Sequence, residues 1–233
     1  KPMNKSTRLS SISKKTANFL IGIILHLYYD ATTMAKIVIL DTEFTAWEGS
    51  HKRGWTGPSE YREIVQIGAI CIDSETFAET KPPFDVLVKP QRNPTLSEYF
   101  TNLTGITNEE LTRRGTSFEA AAKEFHHYSK GARIYSFGGD CNVLNENIDL
   151  YNLHGKIKPF DGRNIRDWFN ENKIDIETPA KKAKLEPCSG NLARIFNAPF
   201  KADAHNALND VRSIRAAVKH LVEKKKYPNP FRP

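Results

Sequence analysis

Four apolar runs along the chain predict the strands of one sheet. Residues 36–41 and 64–72 are continuous stretches of β-branched and aliphatic side chains that end in polar residues, the pattern of buried strands. Residues 84–88 alternate apolar and polar side chains, and residues 133–137 form the fourth run. We therefore expect a strand at each of these positions.

Helices are predicted where Ser or Thr is followed three positions later by Glu, because this capping box satisfies free N–H groups at a helix start. The motif occurs at 95–98, 107–110 and 116–119, and the third predicts a helix that runs to Ser129. Further helices are predicted over 141–152, 163–172, 190–197 and 206–226. Three strands, helices, a fourth strand and then mostly helix indicate an α/β fold with one mixed central sheet flanked by helices.

The first 33 residues differ from the rest. They place an apolar run, 17–29, behind a basic stretch, as a secretory signal does, although a membrane span needs about 20 apolar residues. The triplet Met34-Ala35-Lys36 resembles a natural start before the first strand. We interpret 1–33 as an upstream extension or non-native sequence outside the fold, with a signal or membrane anchor as the alternative. Residues 34–226 would form one domain and 227–233 a tail.

Composition narrows the class of protein. Of 233 residues, 39% are hydrophobic and 26% charged, as in ordinary globular proteins. The net charge of +7 suggests a nucleic-acid partner, but much of it lies in residues 1–33. Lys181, Lys182 and Lys184, in a predicted loop, and the block 224–226 are typical of a solvated surface. Three widely spaced cysteines favour a reducing compartment, so we expect a cytoplasmic protein without stable membrane association.

The triplet Asp41-Thr42-Glu43 is the first candidate for chemistry. Residues i and i+2 of a strand point to the same face, so Asp41 and Glu43 would project together where open α/β sheets bind ligands. Two neighbouring carboxylates repel, and their oxygens suit Mg²⁺ or Mn²⁺. The similar triplets at 73–75 and 175–177 lie among polar residues and are interpreted as turns.

Two later segments carry further candidates. Asp210 lies in the first turn of the predicted final helix, and His205 lies just before it; taken alone, they would be an ordinary N-terminal acid and a surface or cap residue. Asp140 follows the fourth strand, where it could converge on Asp41 and Glu43 or act as the N-cap of the next helix.

Together, Asp41-x-Glu43, Asp140 and His205-x₄-Asp210 resemble the DEDDh family of 3′→5′ exonucleases, the group of ribonuclease T, oligoribonuclease and the bacterial polymerase III proofreading subunit. The resemblance covers about residues 36–222 and implies a ribonuclease H-like fold. Segments 41–49, 63–69, 94–100 and 103–107 are similar to the histone-mRNA 3′-end and RNA-interference-enhancing exoribonucleases and their bacterial relatives. Gly139-Asp140 stands where these often have Trp-Asp or Phe-Asp, and residues 1–33 carry no pattern of a SAP-type domain.

The resemblance implies a mechanism with two Mg²⁺ ions, for which Mn²⁺ would substitute, about 4 Å apart. Asp41 would bridge the ions, Glu43 and Asp210 would complete the site of the attacking water, and Asp140 would serve the second ion. His205 would be the general base. The terminal nucleotide would contact Thr42, Phe44, Leu103 and Ile106, although core packing explains Leu103 and Ile106 about as well.

The expected function is therefore hydrolysis of single-stranded nucleic acid from its 3′ end to 5′-mononucleotides, with RNA favoured over DNA. The alternative is a catalytically silent nucleic-acid-binding domain on the same fold, which should lack one of the four acids or the histidine. A third hypothesis is a membrane-anchored protein in which residues 1–33 matter more than the site. The sequence leaves the oligomeric state open.

Overall fold

A five-stranded mixed sheet forms the centre of the computed structural model, which describes residues 36–232. The interpretation of residues 1–33 lies outside the described residues. The strands are β1 (Lys36–Phe44), β2 (Ile64–Asp73), β3 (Phe84–Leu87), β4 (Arg133–Ser136) and β5 (Gly162–Asn164). Their order in the sheet is β3-β2-β1-β4-β5. The predicted α/β fold with a mixed central sheet is confirmed.

The direction of the strands positions the site. β1 pairs antiparallel with β2, and β2 with β3, whereas β1 and β4 are parallel neighbours, as are β4 and β5. Parallel pairing brings the carboxyl ends of β1 and β4 to one edge of the sheet, where ligands bind in open α/β folds. The segments that follow these two strands therefore meet.

Helices cover both faces of the sheet. They are α1 (Glu98–Thr104), α2 (Asn108–Arg114), α3 (Phe118–Tyr128), α4 (Asp140–Leu150), α5 (Ile165–Glu171), α6 (Glu177–Ala183), α7 (Leu192–Ile195) and α8 (Ala207–Lys225), with a 3₁₀ turn at Ser189–Asn191. No helix among residues 36–232 is both long and apolar enough to cross a membrane.

Alternation along β1 divides the core in two. Val38 and Leu40 pack with buried residues of α3 and α4, whereas Ile37 and Ile39 pack with those of α5 and α8. A third cluster lies under α1 and α2 and includes Phe100 and Ile106. The strand thus presents Thr42 and Phe44 toward the α4 side and Asp41 and Glu43 toward the α8 side.

The segment 227–232, set apart above as a tail, packs against the domain. Phe231 is fully buried, with its ring 5.0 Å from that of Tyr135 and 5.7 Å from that of Phe77. The Trp168 indole N–H donates to the carbonyl of Pro228 at 3.0 Å. The segment therefore packs onto the domain and places Phe231 in its core.

Several elements differ from their predicted form. β1 continues to Phe44, because residues 41–44 still pair with β2. β5 has three residues and no apolar side chain, and α6 buries only Ala180, so neither carries a hydrophobic pattern. Lys181 and Lys182 therefore lie in a helix and not in a loop.

The three capping boxes also had different outcomes. Thr107 and Glu110 form both reciprocal hydrogen bonds at the start of α2. At α1 and α3 the N-caps are Ser97 and Ser117, two and one residues beyond the predicted Thr95 and Thr116. A hydroxyl residue at either position gives the same sequence signature, so the motif located each helix but not its first residue.

Candidate active site

Asp41 and Glu43 lie in the second half of β1 on the face that packs against α8. In the register with β2, Asp41 is opposite Gly68 and Glu43 is opposite Gln66. Asp41 is 7% exposed, and Glu43 is partly exposed. The predicted projection of both carboxylates to one face is what the strand provides.

Helix α8 docks directly on this part of the sheet. A Cβ atom at Gly68 would lie 2.4 Å from the Ala207 carbonyl carbon and 2.5 Å from the Leu208 nitrogen. Only glycine leaves room for the helix start at that point. The backbone N–H of Ala207 donates to Oε1 of Gln66 at 3.1 Å. Gly68 and Gln66 of β2, which lie opposite the two acids of β1, thus fix the first turn of α8, and this turn carries Asp210.

Asp210 is held by the turn before α7. The Ser189 hydroxyl donates to Oδ2 of Asp210 at 3.0 Å, and a Cβ at Gly190 would lie 2.5 Å from Oδ1. Asp210 is 2% exposed, and among the described residues its Oδ1 is the one buried side-chain polar atom without a hydrogen-bond partner. A buried carboxylate oxygen without a donor requires a cation or a proton.

The three carboxylates converge. Oxygen atoms of Asp41, Glu43 and Asp210 all lie within 4.8 Å of one another. All the donors are oxygens, the ligand type that hard divalent cations such as Mg²⁺ prefer. The free Oδ1 of Asp210 and this donor set fit the expected divalent-metal site.

Asp140 approaches from the other side of β1. It is the first residue of α4, its Oδ1 accepts hydrogen bonds from the Thr42 N–H at 3.0 Å and the Thr42 hydroxyl at 2.8 Å, and the N-cap is Gly139. One interpretation expected Asp140 to be the N-cap of this helix, and that interpretation is wrong. The Asp140 carboxylate instead accepts hydrogen bonds from Thr42 of β1. It lines the same cavity as the other acids but lies outside their cluster.

Burial and mutual repulsion make the ionised acids costly. Burial, followed by the charges of Asp140, Asp210 and Glu43, raises the pKa of Asp41 well above its ordinary value. Burial and the charges of Asp210 and Asp140 do the same to the pKa of Glu43. Burial raises the pKa of Asp140 against the hydrogen bonds from Thr42, and it raises that of Asp210 to about 6, opposed by Ser189 and His205.

His205 stands at the mouth of this cluster. It is half-buried, lines the cavity and has a φ of +65°, a backbone conformation that non-glycine residues rarely adopt. The helix begins two residues later, after the N-cap Asn206, whose side chain accepts from the Asn209 N–H. The imidazole therefore extends from a turn and not from the helix face.

One cavity of about 520 Å³ joins these residues. Thr42, Phe44 and Leu103, three of the residues expected to contact substrate, line it. The fourth, Ile106, is 5% exposed and packs in the core cluster under α1 and α2 instead of lining the cavity. For Ile106 the structure thus favours core packing, the alternative considered for it.

The cavity also contains residues that the sequence analysis missed. They are Trp55 and Arg62 from the loop between β1 and β2, Tyr99 of α1, Arg166 of α5 and Ser189. The Arg166 guanidinium carbon lies 4.2 Å from the centre of the Phe137 ring, which is itself core and cavity wall. Loop residues show no hydrophobic periodicity, so the sequence analysis could not place them by that pattern. A tryptophan in a loop rich in glycine and basic residues could still have indicated a ligand-binding loop.

Fold and site together define a ribonuclease H-like domain with a cluster of carboxylates at one edge of the sheet. The model of the exonuclease family matches residues 38–218, and the chain belongs to this family, whose members hydrolyse nucleic acids.

Curated proteins similar in sequence to this chain are named exoribonucleases. The chain is 25% identical over 198 residues to mouse ERI1 exoribonuclease 2, covering 77% of this chain and 27% of that protein. It is 27% identical over 209 residues to human 3′-5′ exoribonuclease 1, covering 83% of this chain and 53% of the relative. The chain thus spans about half or less of the length of these relatives.

Solved structures share the fold. The nuclease domain of 3′hExo, a DEDDh family member bound to rAMP, superposes with a TM-score of 0.63 at 21% identity, covering 84% of this chain and 96% of that one. A 3′-exonuclease that recognises the histone mRNA stem-loop gives a TM-score of 0.64 at 20% identity, covering 83% and 84%.

Proposed function

We propose that this protein is a divalent-metal-dependent 3′→5′ exonuclease that acts on single-stranded nucleic acid, RNA in preference to DNA, and releases 5′-mononucleotides. The observation that carries the proposal is the buried cluster of Asp41, Glu43 and Asp210 with the unpartnered Oδ1 of Asp210. Asp140 and His205 line the same cavity. A catalytically silent domain would have no need to keep these five groups together.

The carboxylates divide into two sets of ligands. Asp41, Glu43 and Asp210 would hold one divalent ion, and Asp140, together with Asp41 as the bridging ligand, would hold a second. When bound, two such ions would supply an activated water and neutralise the charge on the leaving oxygen. Thr42 orients Asp140 through two hydrogen bonds, and Ser189 orients Asp210 through one.

His205 would accept the proton of the attacking water. Its position on a turn at the cavity mouth, near Asp210 but off the helix, suits a base that closes on bound substrate. An imidazole is the side chain most often used as a general base. Asp210 would hold the resulting imidazolium nearby through its charge.

Three further features support the choice of substrate. Thr42, Phe44 and Leu103 would hold the terminal nucleotide against the carboxylates, which directs hydrolysis to a strand end. The relatives named above are exoribonucleases, and this favours RNA. Lys181, Lys182, Lys184 and residues 224–226 would add salt-sensitive contacts to the phosphate backbone.

The three unpaired cysteines are consistent with the cytoplasm as the compartment.

The test uses matched RNA and DNA single strands labelled at the 5′ end, with Mg²⁺ or with a chelator. We expect the labelled RNA to shorten stepwise from its 3′ end, faster than the DNA, and only with the metal. A 3′-phosphate should block the reaction, because the terminal pocket has to close over a free 3′-hydroxyl. Hydrolysis that persists in the chelator would contradict the metal dependence, and binding without hydrolysis would favour the silent domain.

A further inference from the structure

The loop between β1 and β2 builds an aromatic and cationic wall beside the carboxylates. The rings of Phe44 and Trp55 lie 5.3 Å apart. The guanidinium carbon of Arg62 lies 5.8 Å from the centre of the Phe44 ring and 5.7 Å from that of the Trp55 ring. We call Trp55 and Arg62 the loop platform; it extends outward from Phe44, the ring expected to contact the terminal nucleotide.

The platform is held in place before any ligand binds. The backbone N–H of Trp55 donates to the Ser50 carbonyl at 2.9 Å, and its indole N–H donates to the Thr45 carbonyl at 3.0 Å. Arg53 joins the two arms of the loop through hydrogen bonds from Nε to both carboxylate oxygens of Glu60, at 3.1 and 3.0 Å. Trp55 also has a φ of +54°, and strain of this kind concentrates at ligand clamps.

The chemistry of the platform suits a nucleobase. Bases of single-stranded nucleic acid stack on aromatic rings and on guanidinium planes. Arg62 donates from Nε to Oε2 of Glu146 at 2.9 Å, which holds its guanidinium beside the two aromatic rings. The exposed side chain of Lys52 lines the same cavity and supplies a positive charge for a phosphate.

The position of the platform places it after the terminal nucleotide. Trp55 and Arg62 line both the main cavity and a second one of about 270 Å³, which also contacts Glu146 and Leu150. A strand that leaves the carboxylates past Phe44 therefore meets the platform next. Building on the exonuclease function proposed above, we propose that Trp55 and Arg62 bind the base of the nucleotide that lies 5′ to the terminal one.

The test compares two dinucleotides that differ only in the base of the 5′ nucleoside, which is present in one and absent in the other. In the wild type, removal of this base should lower kcat/KM about fivefold or more, because each stacked base contributes about 1–3 kcal/mol. In Trp55→Ala the same removal should change kcat/KM less than about twofold, because the stacking partner is already absent. Trp55→Phe should restore much of the wild-type response.

Matched controls separate stacking from damage to the fold. Tyr128 is also half-buried with a cation over its ring, Lys81 at 3.7 Å, but it lines neither cavity, so Tyr128→Ala should keep the full response to base removal. Arg62→Gln should reduce the response, whereas Arg232→Gln, which removes an exposed arginine paired with Glu75, should not.

The result that overturns the inference is a Trp55→Ala variant that responds to base removal as strongly as the wild type. A variant that merely loosens the site gives this result, since it lowers both rates by one factor. A Trp55→Ala variant that loses its response to removal of the 3′ base, and keeps its response to removal of the 5′ base, would also overturn it, by placing the platform at the terminal nucleotide. A wild type that hydrolyses neither the dinucleotides nor a longer single-stranded RNA would reject the proposed function itself.

Discussion

The two sides of the cavity are built in opposite ways. The floor consists of acids on regular elements, Asp41 and Glu43 on β1 and Asp210 on α8, and these acids are largely withdrawn from water. The wall is the loop platform, Trp55 and Arg62. Both side chains already make their hydrogen bonds and ion pairs to other groups of the protein. The floor is incomplete without a cation, and the wall is complete without one.

This difference indicates which side does chemistry. The floor keeps an unpartnered buried oxygen and several raised pKa values, which is costly unless a positive charge arrives. The side chains of Trp55 and Arg62 offer faces for stacking and no carboxylate oxygen for a metal ion. We therefore expect changes in the floor to abolish turnover and changes in the wall to alter substrate affinity.

The largest effect should come from removing one acid of the floor. Asp41→Asn or Asp210→Asn should lower the hydrolysis rate by about a thousandfold or more, because loss of a ligand removes most of the gain from metal catalysis. The assay is single-turnover degradation of labelled RNA. Asp149→Asn, at an exposed acid paired with His154, is the control and should keep full activity. Activity above a tenth of the wild type in either floor variant would contradict the assignment.

The next effect concerns the base. His205→Ala should lower the rate by about 10²–10⁴, the range for a positioned proton acceptor, while the affinity for Mn²⁺ measured by calorimetry stays unchanged. Mn²⁺ affinity that collapsed in His205→Ala would instead make His205 a ligand.

A smaller effect is expected on stability. The pKa of Asp210 is raised in the folded state, so the stability it contributes is present below about pH 4 and is lost as the pH rises through about 6. Without metal, Asp210→Asn should therefore be more stable than the wild type at pH 7 by about 1–3 kcal/mol. The difference should vanish at pH 3. Urea unfolding at both pH values measures it, and a less stable variant at pH 7 would contradict the repulsion.

The smallest effect concerns the support of Asp210. Ser189→Ala removes the hydrogen bond to Oδ2 of Asp210 and should lower the affinity of the site for Mg²⁺ about tenfold, while the rate at saturating Mg²⁺ falls little. Ser129→Ala is the matched control, since its buried hydroxyl bonds the Phe125 carbonyl outside the site. An unchanged Mg²⁺ dependence in Ser189→Ala would show that Gly190 and the helix alone fix Asp210.

The same contrast explains what the sequence could predict. The alternation along β1 predicted the common face of Asp41 and Glu43, and Asp140 was predicted from its place after β4. Asp210, taken alone an ordinary acid of a first helical turn, joined them only through the family resemblance. The docking of α8 on Gly68 and Gln66 could not be predicted, because it depends on which residues of β2 lie opposite the acids.

The wall was harder to predict for a different reason. The approach of Trp55 to Phe44 depends on turns and ion pairs within one loop, and Arg166 reaches the cavity because the short polar strand β5 places α5 there. Neither leaves a repeating pattern of apolar residues. Ile106 shows the opposite error. The family resemblance placed Ile106 in the substrate pocket, whereas in the structure it packs in the core.

The central claim is that the floor hydrolyses nucleic acid from a free 3′ end. The most direct measurement compares one RNA sequence in linear and in circular form, with Mg²⁺ and purified protein. The account predicts stepwise release of 5′-mononucleotides from the linear strand and an intact circle. Cleavage of the circle at a rate comparable to that of the linear strand would make the protein an endonuclease and contradict the account.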